Sequence, residues 1–313
     1  MLLHGKRPLE RIFFTARKVK KEMIRKHLFI VFILLAAAAF FNPAYSRASL
    51  VITPQADSVI VQGAILRLDV LSAGRPPDTV TGTFRGKALP FVNAGGGFYT
   101  LLGVDMKTEP GVYPLEIRLL RAGRADELVS RELRVADAGF PVQELTLDPK
   151  KVFPDSAAMR RIRRESSLRN DRWSRWAKEA FWSGRFIAPL EGELKRFGNR
   201  RVLNGVPRSQ HSGVDISAPE GAPVLCPAAG KVILTGEFFF SGGSVYIDHG
   251  LGMIGMFFHL SRIDVKDGEL VGRGQVIGAV GSTGRATGPH LHWGVRWRNA
   301  RIDPASLLKL ELD

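Results

Sequence analysis

The chemistry of this chain centres on one stretch of ten residues, Gly288-Pro289-His290-Leu291-His292-Trp293-Gly294-Val295-Arg296-Trp297. Side chains two positions apart share a face on a β-strand but point to nearly opposite sides of a helix. Apolar residues alternate here with polar residues or glycine, which favours the strand. The apolar face comprises Leu291, Trp293, Val295 and Trp297. His290 and His292 therefore project together from the other face, which cannot be an ordinary core face.

The same alternation of side chains between the two faces of a strand applies to residues 211–216, His-Ser-Gly-Val-Asp-Ile. Gly213 and the β-branched residues favour an extended backbone over a helix, so His211 and Asp215, four positions apart, would share a face. Imidazole nitrogens and one carboxylate oxygen form a ligand set suited to zinc, with a fourth position left for water. The alternation of strand faces by itself gives four candidate ligands: His211, Asp215, His290 and His292.

Two further histidines lie between these motifs. His259 interrupts the apolar run Met256-Phe257-Phe258-His259-Leu260-Ser261 and by itself would suit a buried core histidine. Because the same region already carries His-x-x-x-Asp and His-x-His, we expect His259 to face the metal instead. His249 follows Asp248 and precedes Gly250, and we interpret it as a hairpin residue outside the site.

Residue patterns divide the chain into regions and predict a mainly β fold. Short alternating runs between Gly- and Pro-rich turns predict an Ig-like β-sandwich domain over residues 50–140. An arginine-rich segment with a capping Asp155 predicts a basic linker helix within residues 153–184, whose Trp173 and Trp176 dock on a neighbouring domain. Glycine-punctuated Val, Ile and Phe runs over residues 186–310 predict an antiparallel β-sheet domain.

The amino-terminal segment has the pattern of an export signal. Residues 1–27 carry nine Lys and Arg against two Asp and Glu, and fourteen apolar residues follow, Leu28–Phe41. A secretory apolar region needs about 7–15 residues and a spanning helix about 20. We expect residues 1–46 to be a signal peptide cleaved after Ser46, or an uncleaved anchor that holds the chain at the inner-membrane surface. Either form places the remainder outside the cytoplasm, in the periplasm or cell envelope.

Composition restricts the classes of partner. The net charge of +15 would suit nucleic acid, but the amino-terminal segment supplies much of it and no nucleic-acid recognition motif is present. We therefore expect no nucleic-acid partner. Cys226 is the only cysteine, which excludes an intramolecular disulfide, and its apolar neighbours indicate a small buried side chain.

A set of motifs in order resembles those of the lysostaphin-type or LytM-like zinc metallo-endopeptidases, which hydrolyse peptidoglycan. They are His211-x-x-x-Asp215, His259-Leu260-Ser261, Gly281-Ser282-Thr283-Gly284 and Gly288-Pro289-His290-Leu291-His292. The resemblance covers the carboxy-terminal region and implies that residues 186–310 form a metallopeptidase domain.

The resemblance also implies roles for particular residues. His211, Asp215 and His292 would bind Zn²⁺, and His259 and His290 would be catalytic, as general base and acid or by orienting water and stabilising the oxyanion. A zinc-bound water would attack the peptide carbonyl. Peptidoglycan stem peptides would be the substrate, with the D-alanyl crosslink preferred over glycyl bridges in an exported enzyme of this type. Which histidine is the general base stays open.

Three other functions compete with this prediction. A non-catalytic regulator of other wall hydrolases, or a wall-binding module, could use the same groove. A lipoyl- or biotinyl-like carrier is suggested by residues 268–278, which lack a suitably placed hairpin lysine and leave the histidines unexplained. A non-haem iron oxygenase also uses two histidines and a carboxylate, but its usual His-x-Asp pair is missing.

Overall fold

The structure, a computed structural model, describes residues 48–53, 59–72, 76–95 and 97–312. The expected signal peptide or anchor, residues 1–46, lies outside them. Nearly all of the described residues belong to one compact unit, Leu50–Leu71 with Pro77–Asp313. The expectation of a mainly β chain is confirmed. Among the described helices, none has the length and apolarity needed to cross a bilayer.

The amino-terminal region forms two sheets. Its strands are β1 Ala48–Thr53, β2 Val59–Val61, β3 Ile65–Ser72, β4 Thr79–Phe84, β5 Lys87–Ala88, β6 Val92–Ala94, β7 Gly97–Gly103, β8 Gly111–Leu120 and β9 Glu127–Ala136. One sheet has the order β1-β3-β7-β6 and the other β2-β9-β8-β4-β5. In β8 the side chains of Leu115, Ile117 and Leu119 are buried while those between them are exposed, as expected for a sheet with one solvated face. The Ig-like assignment of this region stays a prediction.

The connection between the two regions contains one strand and two helices: β10 Val142–Leu145, α1 Pro149–Val152 and α2 Ser156–Trp173. Helix α2 begins after Asp155, whose carboxylate accepts the amide of Ala158 at 2.8 Å. The helix ends at Trp173, well before the end of the segment in which the sequence predicts it. The following backbone instead pairs with the β-domain, where Leu251 N donates to Ala177 O at 2.8 Å.

The carboxy-terminal region is built on a seven-stranded sheet with the order β13-β21-β17-β16-β15-β19, to which β22 adds beside β21. Its strands are β13 Gly213–Ser217, β15 Gly230–Phe238, β16 Gly242–Asp248, β17 Met253–Leu260, β19 Leu270–Val271, β21 His290–Trp297 and β22 Ala300–Ile302. The remaining elements are β11 Arg200–Leu203, β12 Val206–Pro207, β14 Pro223–Leu225, β18 Arg262–Ile263, β20 Val276–Ala279 and helix α3 Pro304–Leu307. The predicted antiparallel pairing holds throughout the large sheet.

The large sheet buries one apolar face in the main hydrophobic core. Leu291, Trp293, Val295 and Trp297 belong to this core, as the alternation in β21 predicts. On the other face, Trp173 and Trp176 pack against a second cluster that includes Tyr246, so both tryptophans dock on the β-domain. The polar face of β21 therefore opens between the sheet and helix α2, and this is where the histidines lie.

Candidate metal centre

Strand pairing brings the first two candidate ligands together. β13 and β21 are antiparallel neighbours, and Asp215 lies directly opposite His292. Directly opposed residues of an antiparallel pair place their side chains on the same face of the sheet. His211 lies two residues before β13 rather than on it, but its side chain reaches the same place. All three side chains are buried.

Three atoms of these residues converge on one point. His211 Nε2 lies 2.8 Å from His292 Nδ1 and 3.0 Å from Asp215 Oδ1. His292 Nδ1 lies 3.1 Å from the same carboxylate oxygen. Such a triangle of nitrogen and oxygen atoms resembles one face of a tetrahedral metal site. Within the described residues, this is the group of three that could hold a metal ion.

The hydrogen bonds of His211 show that the site suits a cation. Its Nδ1 lies 2.7 Å from the carbonyl oxygen of Arg196, which only accepts, so Nδ1 carries the proton and Nε2 presents a lone pair. That lone pair faces His292 Nδ1 and the Asp215 carboxylate. Lone pairs this close repel unless a proton or a metal ion lies between them, so the residues present fit a metal.

Burial keeps the imidazoles in the form that binds metal. It lowers the pKa of His292 to about 4 and also lowers the pKa of His211, although Asp215 opposes both shifts. For Asp215, burial raises the pKa, but the imidazoles of His211 and His292 beside the carboxylate outweigh this effect and hold the pKa below its ordinary value. At neutral pH the site therefore offers neutral imidazole nitrogens and one carboxylate.

His290 lies beside this triangle with one nitrogen available. Its Nδ1 lies 2.8 Å from Gly288 O and so carries the proton, while its Nε2 lies 3.7 Å from Asp215 Oδ1. The imidazole is therefore oriented by the backbone and presents its lone pair next to the ligand atoms. This is the arrangement a proton acceptor needs near a metal.

A β-bulge turns His259 towards the same point. Gly243 pairs with Leu260 and Val245 with Phe257, so β17 contains one more residue than β16 between these pairs. His259 has φ of +65°, and its Nδ1 lies 2.8 Å from Thr283 O. Its ring centroid lies 4.8 Å from that of His290 and 6.1 Å from that of His292. Burial, with repulsion from His292, lowers the pKa of His259 to about 3.

Comparison with solved structures gives a match that extends over most of both chains. The crystal structure of a Pseudomonas aeruginosa protein assigned to peptidase M23 superposes with a TM-score of 0.60 at 34% identity, covering 80% of this chain and 95% of that chain. The chain belongs to peptidase family M23. The sequence model of this family matches residues 209–304, which include all five candidate site residues.

Curated relatives match a part of this chain. Peptidoglycan DD-endopeptidase ShyB of Vibrio cholerae is 44% identical over 93 residues, which are 30% of this chain and 22% of ShyB. DD-carboxypeptidase/endopeptidase Mpg of Neisseria meningitidis is 41% identical over 97 residues, 31% of this chain and 22% of Mpg. The match thus spans less than a quarter of either relative.

A cleft of about 280 Å³ leads to the metal centre of the M23 domain. Helix α2 contributes Arg169 and Trp173 to the lining of the cleft, and Phe240 and Arg285 also line it. Tyr246 also lines the cleft and packs edge-on against Trp173, with ring centroids 6.4 Å apart. The linker helix therefore shapes the cleft, a role that the sequence does not reveal because α2 and the M23 motifs are far apart along the chain.

Two arginines beside the centre were not identified from the sequence. Arg201, on β11, places Nη2 3.6 Å from Asp215 Oδ2. Arg285 follows the Gly281–Gly284 turn, and burial with repulsion from Arg201 and Arg208 lowers the pKa of Arg285 to about 10. In sequence, both are ordinary polar positions of strand or loop, so no local signal marks them.

The remaining titratable candidates lie away from the centre. His249 is buried, with Nδ1 3.0 Å from Ala229 O and its ring edge-on to Phe186. Cys226 is buried, its thiol donates to Ala228 O at 2.9 Å, and burial raises the pKa of the thiol to about 12. Both side chains belong to the core, in keeping with their exclusion from the site.

Proposed function

We propose that this chain is a zinc-dependent endopeptidase that hydrolyses peptide crosslinks of cell-wall peptidoglycan. The observation that carries the proposal is the convergence of His211 Nε2, Asp215 Oδ1 and His292 Nδ1, with two further imidazoles beside them. Membership of family M23 and the names of the curated relatives support the reaction class.

Zinc suits this donor set better than the alternatives. Two imidazoles and one carboxylate are common ligands of catalytic zinc sites, which keep a fourth position open. Magnesium and calcium prefer all-oxygen sites. A single carboxylate leaves the centre with a net positive charge, and zinc held there would lower the pKa of a coordinated water and polarise the peptide carbonyl.

His290 and His259 would handle the protons. Each donates its Nδ1 proton to a backbone carbonyl, of Gly288 and Thr283 respectively, so each Nε2 is free to accept. In the proposed mechanism one imidazole accepts a proton from the attacking water and the pair delivers a proton to the leaving amine. The imidazolium formed also stabilises the oxyanion.

The proposal extends to the substrate, the cellular location and the domains of the chain. We propose peptidoglycan stem peptides as substrate, with the D-alanyl crosslink as the bond cut, in keeping with the DD-endopeptidase named among the relatives. The basic and apolar segment over residues 1–46 would export the chain to the periplasm or cell envelope, cleaved or as an inner-membrane anchor. Residues 50–140 would form an Ig-like domain, 153–184 the basic linker helix and 186–310 the M23 domain.

Digestion of purified substrate tests the proposal. Zinc-loaded protein is incubated with isolated sacculi and with a purified D-alanyl-crosslinked muropeptide dimer, and the products are identified by mass spectrometry. We expect loss of the dimer, abolition by chelation, and restoration by zinc but not by ferrous ion. His290→Ala, prepared in parallel, controls for contaminating hydrolases.

Two results would contradict the proposal. Stoichiometric zinc without cleavage of either substrate would favour the alternative of a non-catalytic regulator or wall-binding module. Restoration by ferrous ion alone would favour an oxygenase-type site.

A further inference from the structure

The cavities that meet at the metal centre are strongly basic. The cleft is joined by a smaller cavity on the side of β11, lined by Arg196, Asp215 and His290 among others. Arg201 and Arg285 line both cavities. Among the described residues that line either cavity, Asp215 is the sole acidic side chain.

Asp215 does not satisfy these arginines. Its Oδ2 lies 3.6 Å from Arg201 Nη2 and 3.5 Å from Arg196 Nη1, outside ordinary hydrogen-bond distance. Arg201 Nε is buried and has no hydrogen-bond partner among the described residues. A metal ion bound to Asp215 would draw on the same carboxylate charge and leave Arg201 still less compensated.

Arg285 is in a similar position. Its guanidinium carbon lies 4.3 Å from the centroid of the Phe240 ring, and no hydrogen bond or ion pair of the guanidinium is found within the described part of the chain. Repulsion from Arg201 and Arg208, added to burial, lowers its pKa. Placing partly buried guanidinium groups near one another with a single carboxylate beside them is unfavourable unless a further anion joins them.

We propose that Arg201 and Arg285 form a subsite that binds a free carboxylate of the substrate peptide beside the scissile bond. Guanidinium groups bind carboxylates through short, charge-assisted and often bidentate hydrogen bonds. Because Arg201 borders Asp215, a carboxylate bound there would lie next to the residues that would hold the metal. This inference rests on the proposed peptidase function and specifies its substrate class.

The subsite selects amides whose nitrogen-bearing carbon also carries a free carboxylate. An amide between D-alanine and the α-amino group of an amino acid with a free α-carboxylate meets this condition. An interior glycyl bridge, or a residue whose carboxylate is amidated, does not. The two guanidinium groups would thus disfavour neutral peptides, because binding one would leave both arginines without an acceptor.

Two synthetic peptides test the subsite without any variant. Acetyl-L-lysyl(Nε-acetyl)-D-alanyl-D-alanine has the free carboxylate, and its carboxy-terminal amide lacks it. We expect the full-length zinc-loaded protein to cleave the acid with kcat/KM about 10-fold or more above that of the amide. The same preference should appear in calorimetric binding to protein stripped of metal, a readout that needs no turnover.

Matched variants assign the preference to these arginines. Arg285→Gln and Arg201→Gln should remove it, whereas Arg285→Lys should retain part of it. Arg200→Gln is the control. This substitution removes the same charge, and Arg200 precedes Arg201 on β11 but lines neither cavity. It should leave the preference intact.

The possible outcomes separate this inference from the proposed function. Binding that depends on the carboxylate and on Arg285, without cleavage of any substrate, supports the subsite and overturns the peptidase. Equal binding and cleavage of acid and amide by the wild-type protein overturns the subsite and leaves the peptidase standing. Failure of both peptides to bind also overturns the subsite.

Discussion

At the scale of single residues, His259 has the most unusual backbone in the site. Its φ of +65° is left-handed, which costs a residue other than glycine about 1–3 kcal/mol. Two contacts hold this conformation: the amide of His259 donates to Ser241 O at 2.9 Å, and its Nδ1 lies 2.8 Å from Thr283 O. The surrounding backbone thus fixes the imidazole beside the metal centre at the cost of local strain.

Substitutions should divide the five site residues into two groups. Replacing His211, Asp215 or His292 with alanine should abolish zinc binding, because each supplies one of the converging atoms. Replacing His259 or His290 with alanine should retain zinc and lower kcat by about 10²- to 10⁴-fold, the usual contribution of a general acid or base. Elemental analysis for zinc and muropeptide turnover measure the two effects.

His249→Gln is the control for the loss of a buried imidazole outside the centre, and should retain zinc. Loss of zinc in His290→Ala together with zinc retained in His292→Ala would reverse the ligand assignment.

His249 should make stability depend on pH. Burial lowers its pKa from 6.5 to about 4, so between these values the unfolded chain binds the proton more tightly than the native protein. Stability therefore falls as the pH drops from 6.5 towards 4, by roughly 3 kcal/mol for this group.

Urea unfolding at pH 7 and pH 4.5 measures the effect. His249→Gln should lose less stability than the wild-type protein over this interval, although it starts from a lower value. An equal loss in both proteins would show that His249 does not contribute.

At the scale of elements, the pairing of β13 with β21 brings Asp215 and His292 of the candidate metal centre together. Gly213 lies opposite Gly294, two pairs away from Asp215 and His292 and therefore on the same face. A Cβ at Gly213 would lie 2.5 Å from Trp293 O and 2.7 Å from His292 Nε2. The two glycines thus allow the backbones and the ligand imidazole to approach closely.

Gly213→Ala should therefore disturb the metal centre. We expect a destabilisation of about 1–3 kcal/mol from overpacking, with weaker zinc binding because His292 must move. Chemical unfolding of the metal-free protein and zinc titration check both effects. Gly272→Ala is the control, since a Cβ there meets nothing within 4 Å. Equal zinc binding in the two variants would contradict the expectation.

At the scale of the whole molecule, polar contacts join the amino-terminal sheets to the M23 domain. Arg301 donates to both carboxylate oxygens of Asp105, at 2.6 and 2.9 Å, and its backbone amide donates to the same side chain at 2.8 Å. Trp297 Nε1 donates to Leu101 O at 2.9 Å. Trp297 is on β21, so the strand that carries two site histidines also contacts the amino-terminal region.

Asp105→Ala should lower the free energy of unfolding by about 2–3 kcal/mol, because it leaves the partly buried Arg301 without its charged acceptor. Thermal unfolding measures the change. Asp126→Ala is the control, since Asp126 forms an exposed pair with Arg118 at 3.5 Å, and such pairs contribute about 0–1 kcal/mol. Equal effects of the two substitutions would contradict a structural role for the Asp105–Arg301 contact.

Strand alternation allowed much of the site to be predicted. It correctly placed the apolar face of β21 in the core and His290 with His292 on the opposite face. Applied to β17, the same alternation fails. Phe257 is in the core and Phe258 stacks on His292, so a regular strand would turn His259 into the core, but the bulge turns it back to the site.

The sequence by itself determined the mainly β class, the family and the shared faces of the histidines, because side-chain parity and motif spacing are local properties of the chain. Only the tertiary structure decided how β13 meets β21, how the bulge directs His259, and that Arg201 and Arg285 border the metal centre. These features depend on pairing between distant segments, and the sequence does not show that folding brings two guanidinium groups together beside a single carboxylate.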